Sequence, residues 1–265
     1  MGDELGTAGL RFERDGVIAW CRIDRPKARN ALTPAMYFGI RRAVRVVNAD
    51  PELAALIVTG TGDVFAPGGD LGGRDREGDG VPPDIGHEFL PFTAIRESRA
   101  PVIAAVNGIC QAGGLLIAMM ADIAVASDRA TFRVPELLRG IPDATFAAAL
   151  PAHVGVAVAR DLLLSARRFD AAEALRLGLI ARVVPHDTLR AAALQAAREI
   201  LRTAPTARMH VKRMLNARYG VVDHQTMFWA LEESPEPREG MRAFMEKREP
   251  NWVPREGREG PGQMT

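Results

Sequence analysis

Three short apolar runs constrain the fold of this chain more than any other feature of its sequence. They occupy residues 55–59, 102–106 and 123–126, and the first two end at Gly60 and at Asn107. A strand with one face in water alternates apolar and polar residues, whereas a strand buried on both faces reads as a continuous apolar run. The three runs therefore predict parallel strands covered by helices, which is an α/β fold.

Helical patterns alternate with these runs and then dominate the second half. Thr33 and Pro34 supply a helix N-cap and a first-turn proline after a predicted strand at residues 17–23, so we expect a helix from residue 34 to about 48. Asp170 and Glu173 have the spacing of a capping box, and Gly178 suits a helix end. Further helices are predicted at residues 187–202, 207–217 and 238–247. We expect residues 1–205 to form the core and residues 206–265 to form an appended helical region.

Composition excludes several classes of partner. The formal net charge is +1, with 47% hydrophobic and 25% charged residues, so neither nucleic acid nor an anionic membrane is expected as a partner. The most apolar run, residues 112–121, is half the roughly 20 residues needed to span a bilayer and predicts a buried helix. Cys21 and Cys110 form no metal-binding or disulfide pattern, and residues 1–14 lack the core of a signal peptide. A cytoplasmic location is predicted.

Two glycine-bearing turns are the first sign of chemistry. One covers residues 65–71 and contains Gly68 and Gly69; the other leads from Asn107 to Gly113 at the start of the apolar helix. Glycine lets the backbone approach a ligand closely, and a helix N-terminus offers unpaired N–H groups. If the two turns converge, they form an oxyanion hole.

The sequences of these turns and of the neighbouring segments resemble one protein family. Residues 25–32 (RPKARNAL), 65–71 (FAPGGDL), 101–108 (PVIAAVNG) and 113–122 (GGLLIAMMAD) are similar to the "RPKALNAL", "FAAGADI", "PVIAAVNG" and "GGG..LAMMCD" segments of crotonases. The match continues in the same order through Glu136, residues 140–142 and residues 238–248. The chain is therefore identified, by resemblance, as a member of the crotonase (enoyl-CoA hydratase/isomerase) superfamily.

The resemblance implies a fold, a substrate and a set of site residues. It implies a spiral of ββα turns whose C-terminal helices assemble a homotrimer or a dimer of trimers. The implied substrate is an acyl-CoA thioester; coenzyme A is then part of the substrate, with no separate cofactor and no metal. The backbone N–H groups of Gly69 and Gly113 would form the oxyanion hole. The residues at matching coenzyme A and pocket positions are Lys27, Ala28, Arg29, Ala31, Pro67, Gly69, Asp70, Leu71, Gly113, Leu116, Phe244 and Lys247. For Lys27 and Arg29 an ordinary surface role is the alternative.

The sequence departs from the hydratase pattern at the catalytic carboxylates. Hydratases of the family use two glutamates; Leu116 stands at the position of the first, while Glu136 stands at the position of the second. Adding water requires activation of its oxygen and delivery of a proton, whereas a single carboxylate can move a proton between two carbons. Leu116 therefore favours double-bond isomerisation over hydration, with Glu136 as the acid/base.

Asp143 follows residues 141–142 where many hydratases have glycine, and dienoyl-CoA isomerases of the superfamily have an aspartate at the corresponding point. One interpretation makes Glu136 and Asp143 an acid/base pair, and the other makes Asp143 the N-cap of a helix that begins near Ala144. The segment is one residue shorter than in typical hydratases, so Asp143 aligns either with that position or with its neighbour.

Alternative functions remain open at this point. One is a non-catalytic acyl-CoA-binding homologue, which Leu116 favours; another is a different crotonase reaction, such as thioester hydrolysis or decarboxylation. Residues 72–92 are predicted to form a long loop that helps to set acyl chain length, together with the region of Phe146. His87 within that loop could reach the acyl pocket.

Overall fold

The computed structural model describes residues 5–71, 90–220, 222, 231 and 234–253. Short 3-10 helices lie at Pro26–Ala28, Glu136–Arg139 and His186–Thr188. The strands are β1 Leu10–Asp15, β2 Ile18–Ile23, β3 Ala55–Gly60, β4 Val64–Ala66, β5 Val102–Val106, β6 Ile109–Gln111, β7 Ile123–Ser127, β8 Thr131–Arg133, β9 Phe169–Asp170 and β10 Arg182–Val184. The α-helices are α1 Pro34–Ala49, α2 Phe92–Arg96, α3 Gly113–Met120, α4 Ala144–Val154, α5 Val156–Ser165, α6 Ala171–Arg176, α7 Leu189–Leu201, α8 Pro205–Asn216 and α9 Glu236–Glu246.

The predicted apolar strands lie side by side in one sheet. Its order is β1-β2-β3-β5-β7-β10, and every pair except β1 with β2 is parallel. All residues of β3 and β5 are buried. One face of the sheet packs on α7 and the other contributes to the main core, which explains why these strands lack polar alternation. The α/β prediction is confirmed.

A second sheet runs beside the first and gives the fold its repeat. Its order is β4-β6-β8-β9, with β4, β6 and β8 parallel. Each repeat therefore places one strand in the six-stranded sheet, the next strand in the four-stranded sheet, and then a helix. β3-β4-α2, β5-β6-α3 and β7-β8-α4 follow this order. The predicted ββα spiral is confirmed.

Two buried asparagines join successive turns of the spiral. The Asn30 amide donates to the carbonyl oxygens of Thr61 (3.0 Å) and Val64 (2.6 Å). The Asn107 amide donates to the carbonyl oxygens of Gly62 (2.7 Å) and Val64 (3.2 Å), and its own oxygen accepts from the Gly60 N–H. Both side chains thus satisfy the backbone of the short connection before β4. They fix the start of the chain segment that carries the first glycine turn.

The predicted helices form with small differences in their bounds. The Thr33 hydroxyl caps α1 by accepting from the Met36 N–H, and α3 is buried except at its first residue. Asp170 caps α6 through the Glu173 N–H, but the Glu173 carboxylate binds Arg167, so only the first half of the predicted capping box is present. No helix in the described ranges is long and apolar enough to cross a membrane.

Most of the predicted loop at residues 72–92 lies outside the described residues, and so does His87. The end of that prediction is wrong, because α2 already begins at Phe92.

Helix α9 packs on the 3-10 helix Glu136–Arg139. A methyl group on Gly240 would lie 2.4 Å from the carbonyl of Arg139, so the two segments touch through their backbones. At the same contact Glu239 is buried and binds Arg242, Arg248 and the N–H of Asn251. The C-terminal segment thus supports the element that carries Glu136. The boundary between a core and an appended region at residue 205 stays a prediction.

Candidate active site

The two glycine turns meet. Gly68 has a φ of +108°, and a methyl group there would lie 2.5 Å from the Cβ of Ala112 and 3.7 Å from the nitrogen of Gly113. Only glycine tolerates both this backbone conformation and this approach. The segment after β4 is therefore in contact with the N-terminus of α3, as the sequence predicted.

Both turns present a backbone N–H without a backbone acceptor. The Leu32 N–H donates to the carbonyl of Gly68 (2.9 Å), and the Asp70 N–H donates to the carbonyl of Leu32 (2.9 Å). This parallel bridge leaves the Gly69 N–H on the other edge of its strand. Gly113 is the first residue of α3, where helix N–H groups have no partner within the helix. Neither N–H finds a backbone acceptor within the part of the chain that the structure describes.

Backbone strain and close packing hold the second donor in place. Ala112, which precedes Gly113, has φ +50° and ψ −131°, a conformation that non-glycine residues rarely adopt. A methyl group on Gly114 would lie 2.2 Å from the carbonyl oxygen of Ala66, so α3 starts directly against β4. Strain of this kind persists only where the surrounding structure enforces it, and it is concentrated at functional sites.

The Tyr37 hydroxyl lies beside the same two glycines, and sequence reasoning missed it. A methyl group on Gly113 would lie 2.0 Å from this oxygen, and one on Gly69 would lie 3.9 Å from it. Tyr37 lies in the first turn of α1 and is 8% exposed. Burial raises the pKa of its hydroxyl well above the ordinary value, and the charges of Glu136 and Asp143 raise it further. The hydroxyl is therefore neutral and lies within electrostatic reach of both carboxyl groups.

Glu136 carries a buried carboxyl oxygen with no hydrogen-bond partner among the described residues, its Oε2. It is the first residue of its 3-10 helix, after Pro135. Burial raises the pKa of this carboxyl group from 4.5 to about 7, and the negative charge of Asp143 contributes to the increase. A carboxyl group with a pKa near neutrality can both accept and return a proton under physiological conditions. Such orphaned, shifted groups are typical of active sites.

Asp143 is the N-cap of α4, because its Oδ1 accepts from the Phe146 N–H at 2.9 Å. The predicted cap is therefore confirmed. The same carboxylate also raises the pKa of Glu136, so it lies close to the candidate proton carrier. The two interpretations made from the sequence are compatible; a catalytic role for Asp143 stays a prediction.

These groups define a chemistry. Two N–H donors can stabilise negative charge on a carbonyl oxygen, and a carboxyl group can exchange a proton. No group of three or more His, Cys, Asp or Glu side chains suited to a metal occurs within the described ranges.

Comparisons with known proteins show the family of this chain. The model of the family described as enoyl-CoA hydratase/isomerase matches residues 13–255. The carnitinyl-CoA dehydratase of Citrobacter koseri is 36% identical, over 93% of this chain and 98% of that protein. The chain belongs to the enoyl-CoA hydratase/isomerase family.

Solved structures of this family share the fold. The crystal structure of an enoyl-CoA hydratase/isomerase from Pseudoalteromonas atlantica has a TM-score of 0.79 and 31% identity, covering 92% of this chain and all of that one. A carnitinyl-CoA dehydratase from Mycobacterium avium has the same TM-score and 34% identity, covering 92% of this chain and 98% of that one. The crotonase resemblance inferred from the motifs is confirmed.

Within the family fold, Leu116 lies in α3 and is 2% exposed. Its side chain belongs to the main hydrophobic core together with Phe146, which is fully buried. The position that the motif resemblance matches to a hydratase glutamate is therefore apolar in this member of the enoyl-CoA hydratase/isomerase family. A role of Leu116 in substrate binding stays a prediction.

Most of the residues predicted to contact coenzyme A come from two segments, residues 27–31 and residues 67–71. Lys27 and Arg29 are exposed at the 3-10 helix Pro26–Ala28, where a cation can meet either solvent or phosphate. The Asp70 carboxylate accepts from Arg25 at 2.8 Å, an ion pair that joins the two crotonase motifs. Ala28, Ala31, Pro67 and Leu71 are each partly exposed. Their contact with coenzyme A stays a prediction.

Phe244 and Lys247 lie at the end of α9. The Phe244 ring is 50% exposed, and the Arg139 guanidinium lies 4.6 Å from its centroid. Lys247 ends the helix in a left-handed conformation and is exposed. The structure therefore brings Phe244 to the 3-10 helix of Glu136 within the same chain, and Lys247 follows at the exposed end of α9.

Proposed function

We propose that this protein moves a double bond in an unsaturated acyl-CoA thioester, with Glu136 as the group that carries the proton. The observation that carries the proposal is the buried Oε2 of Glu136, which has no hydrogen-bond partner among the described residues. Glu136 interacts electrostatically with the Tyr37 hydroxyl, and this hydroxyl lies beside Gly69 and Gly113, whose N–H groups have no backbone acceptor there either. Removing a proton from the carbon next to a thioester places negative charge on the carbonyl oxygen. Gly69 and Gly113 would stabilise that charge, and Glu136 would return the proton at another carbon.

The apolar residue at position 116 favours isomerisation. Isomerisation balances with a single carboxyl group: the C–H bond at one carbon breaks, the double bond shifts, and a C–H bond forms at another carbon. Glu136 ends in the state in which it began, since it takes one proton and gives one back. Leu116 cannot activate or hold a water molecule, so hydration lacks one of the two carboxylates that it normally uses.

A second candidate is reversible hydration or dehydration of the same class of thioester. Asp143 favours it, because this carboxylate is close enough to Glu136 to raise its pKa. The names of the relatives, carnitinyl-CoA dehydratase and probable enoyl-CoA hydratase, point the same way. In this reaction Asp143 would take the role of the missing glutamate.

Turnover of three substrates separates these candidates. Purified protein is assayed with a 2-enoyl-CoA, a 3-enoyl-CoA and a 3,5-dienoyl-CoA, next to the variant Glu136→Gln. We expect isomerisation of the 3-enoyl or dienoyl thioester and a loss on the order of 10²–10⁴ in kcat for the variant. Glutamine keeps the size of the side chain and removes only the titrating proton.

The other outcomes are equally informative. Hydration of the 2-enoyl-CoA as the main reaction would replace the first proposal with the second. Tight binding of all three thioesters without turnover would favour a non-catalytic acyl-CoA-binding homologue or another crotonase reaction, such as thioester hydrolysis. An unchanged rate in Glu136→Gln would remove Glu136 from the mechanism.

We also propose that coenzyme A lies along the 3-10 helix Pro26–Ala28, with Lys27 and Arg29 close to its phosphates. Exposed cations there leave both side chains able to meet an anionic ligand. A homotrimer or a dimer of trimers in the cytoplasm is part of the same proposal, which rests on the family resemblance alone. Mass measurement in solution tests the assembly.

A further inference from the structure

We propose that Tyr37 is a catalytic residue whose hydroxyl donates a hydrogen bond to the reacting acyl group, between the oxyanion hole and the carboxyl groups of Glu136 and Asp143. The inference rests on the proposed function, because it assigns a further group to the same site. It goes beyond that function, because neither the motifs nor the family pattern marks this position of α1.

The position of the hydroxyl carries the inference. It lies where a side chain on Gly113 would begin, since a methyl group there would be 2.0 Å from the oxygen. At the first turn of a helix, the Cα–Cβ direction and the N–H direction of one residue point to the same side. The hydroxyl therefore borders the space in front of the Gly113 N–H. A thioester oxygen bound to that N–H, and the carbons next to it, would lie against Tyr37.

The hydroxyl also reaches the other half of the site. Glu136 and Asp143 both act on it electrostatically, although they belong to a different segment of the chain. Tyr37 thus lies beside Gly113 and interacts electrostatically with both carboxyl groups. A buried neutral phenol in this position donates a hydrogen bond and does not act as a base.

The chemistry of the site has a need for such a donor. Leu116 supplies no polar atom where hydratases carry a glutamate, so one polar contact to substrate or intermediate is missing from α3. A hydroxyl from α1 can supply that contact from the opposite side. An enolate gains from each additional preorganised donor, because the charge develops in a site with little water.

The ring contact of Tyr37 does not involve its oxygen. The Tyr37 ring meets Phe92 edge-on at 6.1 Å between centroids and an angle of 76°, a contact that phenylalanine would keep. The hydroxyl oxygen is also the atom that a side chain on Gly113 would approach most closely. Removal of this one oxygen therefore tests function with little change in shape.

The chain offers a matched control, because it contains only two tyrosines. Tyr219 is the other; its hydroxyl lies 3.0 Å from His153 Nε2 and donates to the carbonyl of Met119. Tyr37→Phe and Tyr219→Phe each remove one hydroxyl from a partly or fully buried ring. Both are assayed for kcat and KM on the substrate that the wild-type protein turns over, and for Tm.

For Tyr37→Phe we expect a fall in kcat of about 10- to 100-fold, the effect of one hydrogen bond to a charged acceptor, with KM changed less than about threefold. Tyr219→Phe keeps its kcat. A wild-type kcat in Tyr37→Phe, or a loss confined to KM, would overturn the inference.

A readout that needs no turnover separates this inference from the proposed function. In the Tyr219→Phe protein Tyr37 is the only tyrosine, so growth on 3-fluorotyrosine labels this residue alone. We expect its ¹⁹F resonance to move when a 3-phenylpropenoyl-CoA binds, and the red shift of that thioester's absorption to shrink in Tyr37→Phe. If the ¹⁹F signal and the absorption are both unaffected, Tyr37 does not contact the acyl group, whatever reaction the protein catalyses. If both respond while no acyl-CoA is turned over, the proposed reaction fails and the contact stands.

Discussion

The two sides of the active site are formed by different kinds of chemical group. The oxyanion side consists of backbone N–H groups, held by glycines in close contact and by buried asparagines at the preceding connection. The carboxyl side consists of side chains on a 3-10 helix and a helix N-cap, supported by α9. The first side offers no side chain to remove, so only distortion can test it. The second side can be changed one functional group at a time.

The difference also concerns what each side costs the fold. Glycines that pack without side chains lose conformational freedom on folding, but they leave no charge buried. Glu136 lacks a hydrogen-bond partner for one oxygen among the described residues. Its raised pKa reflects the free energy needed to bury the charged form of the carboxyl group. Close packing therefore limits substitution on the oxyanion side. On the carboxyl side, a reactive group lowers the stability of the folded protein.

After the loss of turnover expected for Glu136→Gln, the largest expected effect comes from distortion of the oxyanion side. In Gly68→Ala the new methyl group would meet Ala112 at 2.5 Å, and the φ of +108° would strain it further. Both turns must shift, so one donor loses its position, and we expect kcat/KM to fall about 10²- to 10³-fold. Steady-state kinetics with the preferred acyl-CoA measures this.

Gly16→Ala is the matched control for that variant. Gly16 has a φ of +61° in the turn between β1 and β2, and a methyl group there meets nothing within 4 Å. It carries the cost of the backbone conformation alone, about 1–2 kcal/mol, without moving the site. Equal activity of the two variants would mean that the contact between the glycine turns is not needed.

The second effect concerns the loss of folding stability that the ionised Glu136 side chain causes. Its pKa in the folded protein is raised from 4.5 to about 7, so the folded state binds the proton more tightly than the unfolded state does. The wild-type free energy of unfolding therefore falls as the pH rises through this interval. Glu136→Gln removes that loss and should be more stable than wild type at pH 8, by up to about 3 kcal/mol, with little advantage below pH 4.

Urea unfolding at both pH values measures this difference. A variant that is equally stable or less stable at pH 8 would show that Glu136 is solvated or paired in solution. Together with the turnover assay, the experiment asks whether the group that limits stability is also the group that reacts.

A third prediction separates the two roles of Asp143. Asparagine can still cap α4 but carries no charge, so Asp143→Asn should lower the pKa of Glu136 and move the acid limb of the kcat/KM profile to lower pH. Asp143→Ala should move the limb equally and lose about 1 kcal/mol of stability as well, because the cap is gone. A kcat loss on the order of 10² or more in Asp143→Asn would instead assign proton transfer to the pair.

The smallest effect is expected at the support behind the carboxyl side. The pKa of Glu239 is lowered to about 2 by hydrogen bonds from Arg248 and Arg242, so its contribution is present above pH 4.5 and lost as the pH falls towards 2. Glu239→Gln should lower the Tm by roughly 2–4 °C at neutral pH and reduce kcat only a few-fold.

Glu246→Gln on the same helix is the control, because Glu246 is exposed and accepts from the Arg248 Nε–H. It should leave both quantities nearly unchanged. A similar Tm loss in the two variants would mean that α9 is held by general surface charge and not by the buried carboxylate.

The sequence predicted the elements that depend on local patterns. The apolar runs of β3, β5 and β7 and the Thr33 cap of α1 are read directly from neighbouring residues, and each is present. The glycine turns and Glu136 were identified because they lie within sequence motifs that occur in the same order as in the family. The end of the loop before Phe92 and the second half of the capping box at Asp170 were not predicted correctly, because distant partners decide them. The Glu173 carboxylate, for example, pairs with Arg167.

The sequence by itself determined the α/β class, the two glycine turns and the absence of a carboxylate at position 116, whereas the ββα spiral was implied by the family resemblance. It did so because burial on both faces of a strand and the need for glycine at a close approach leave marks in the sequence. Only the tertiary structure brought the Tyr37 hydroxyl to Gly113 and set Asp143 both on the end of α4 and beside Glu136. The physical reason is that these are contacts between segments far apart in the chain, made by side chains whose local sequence fits an ordinary buried helix or an ordinary cap.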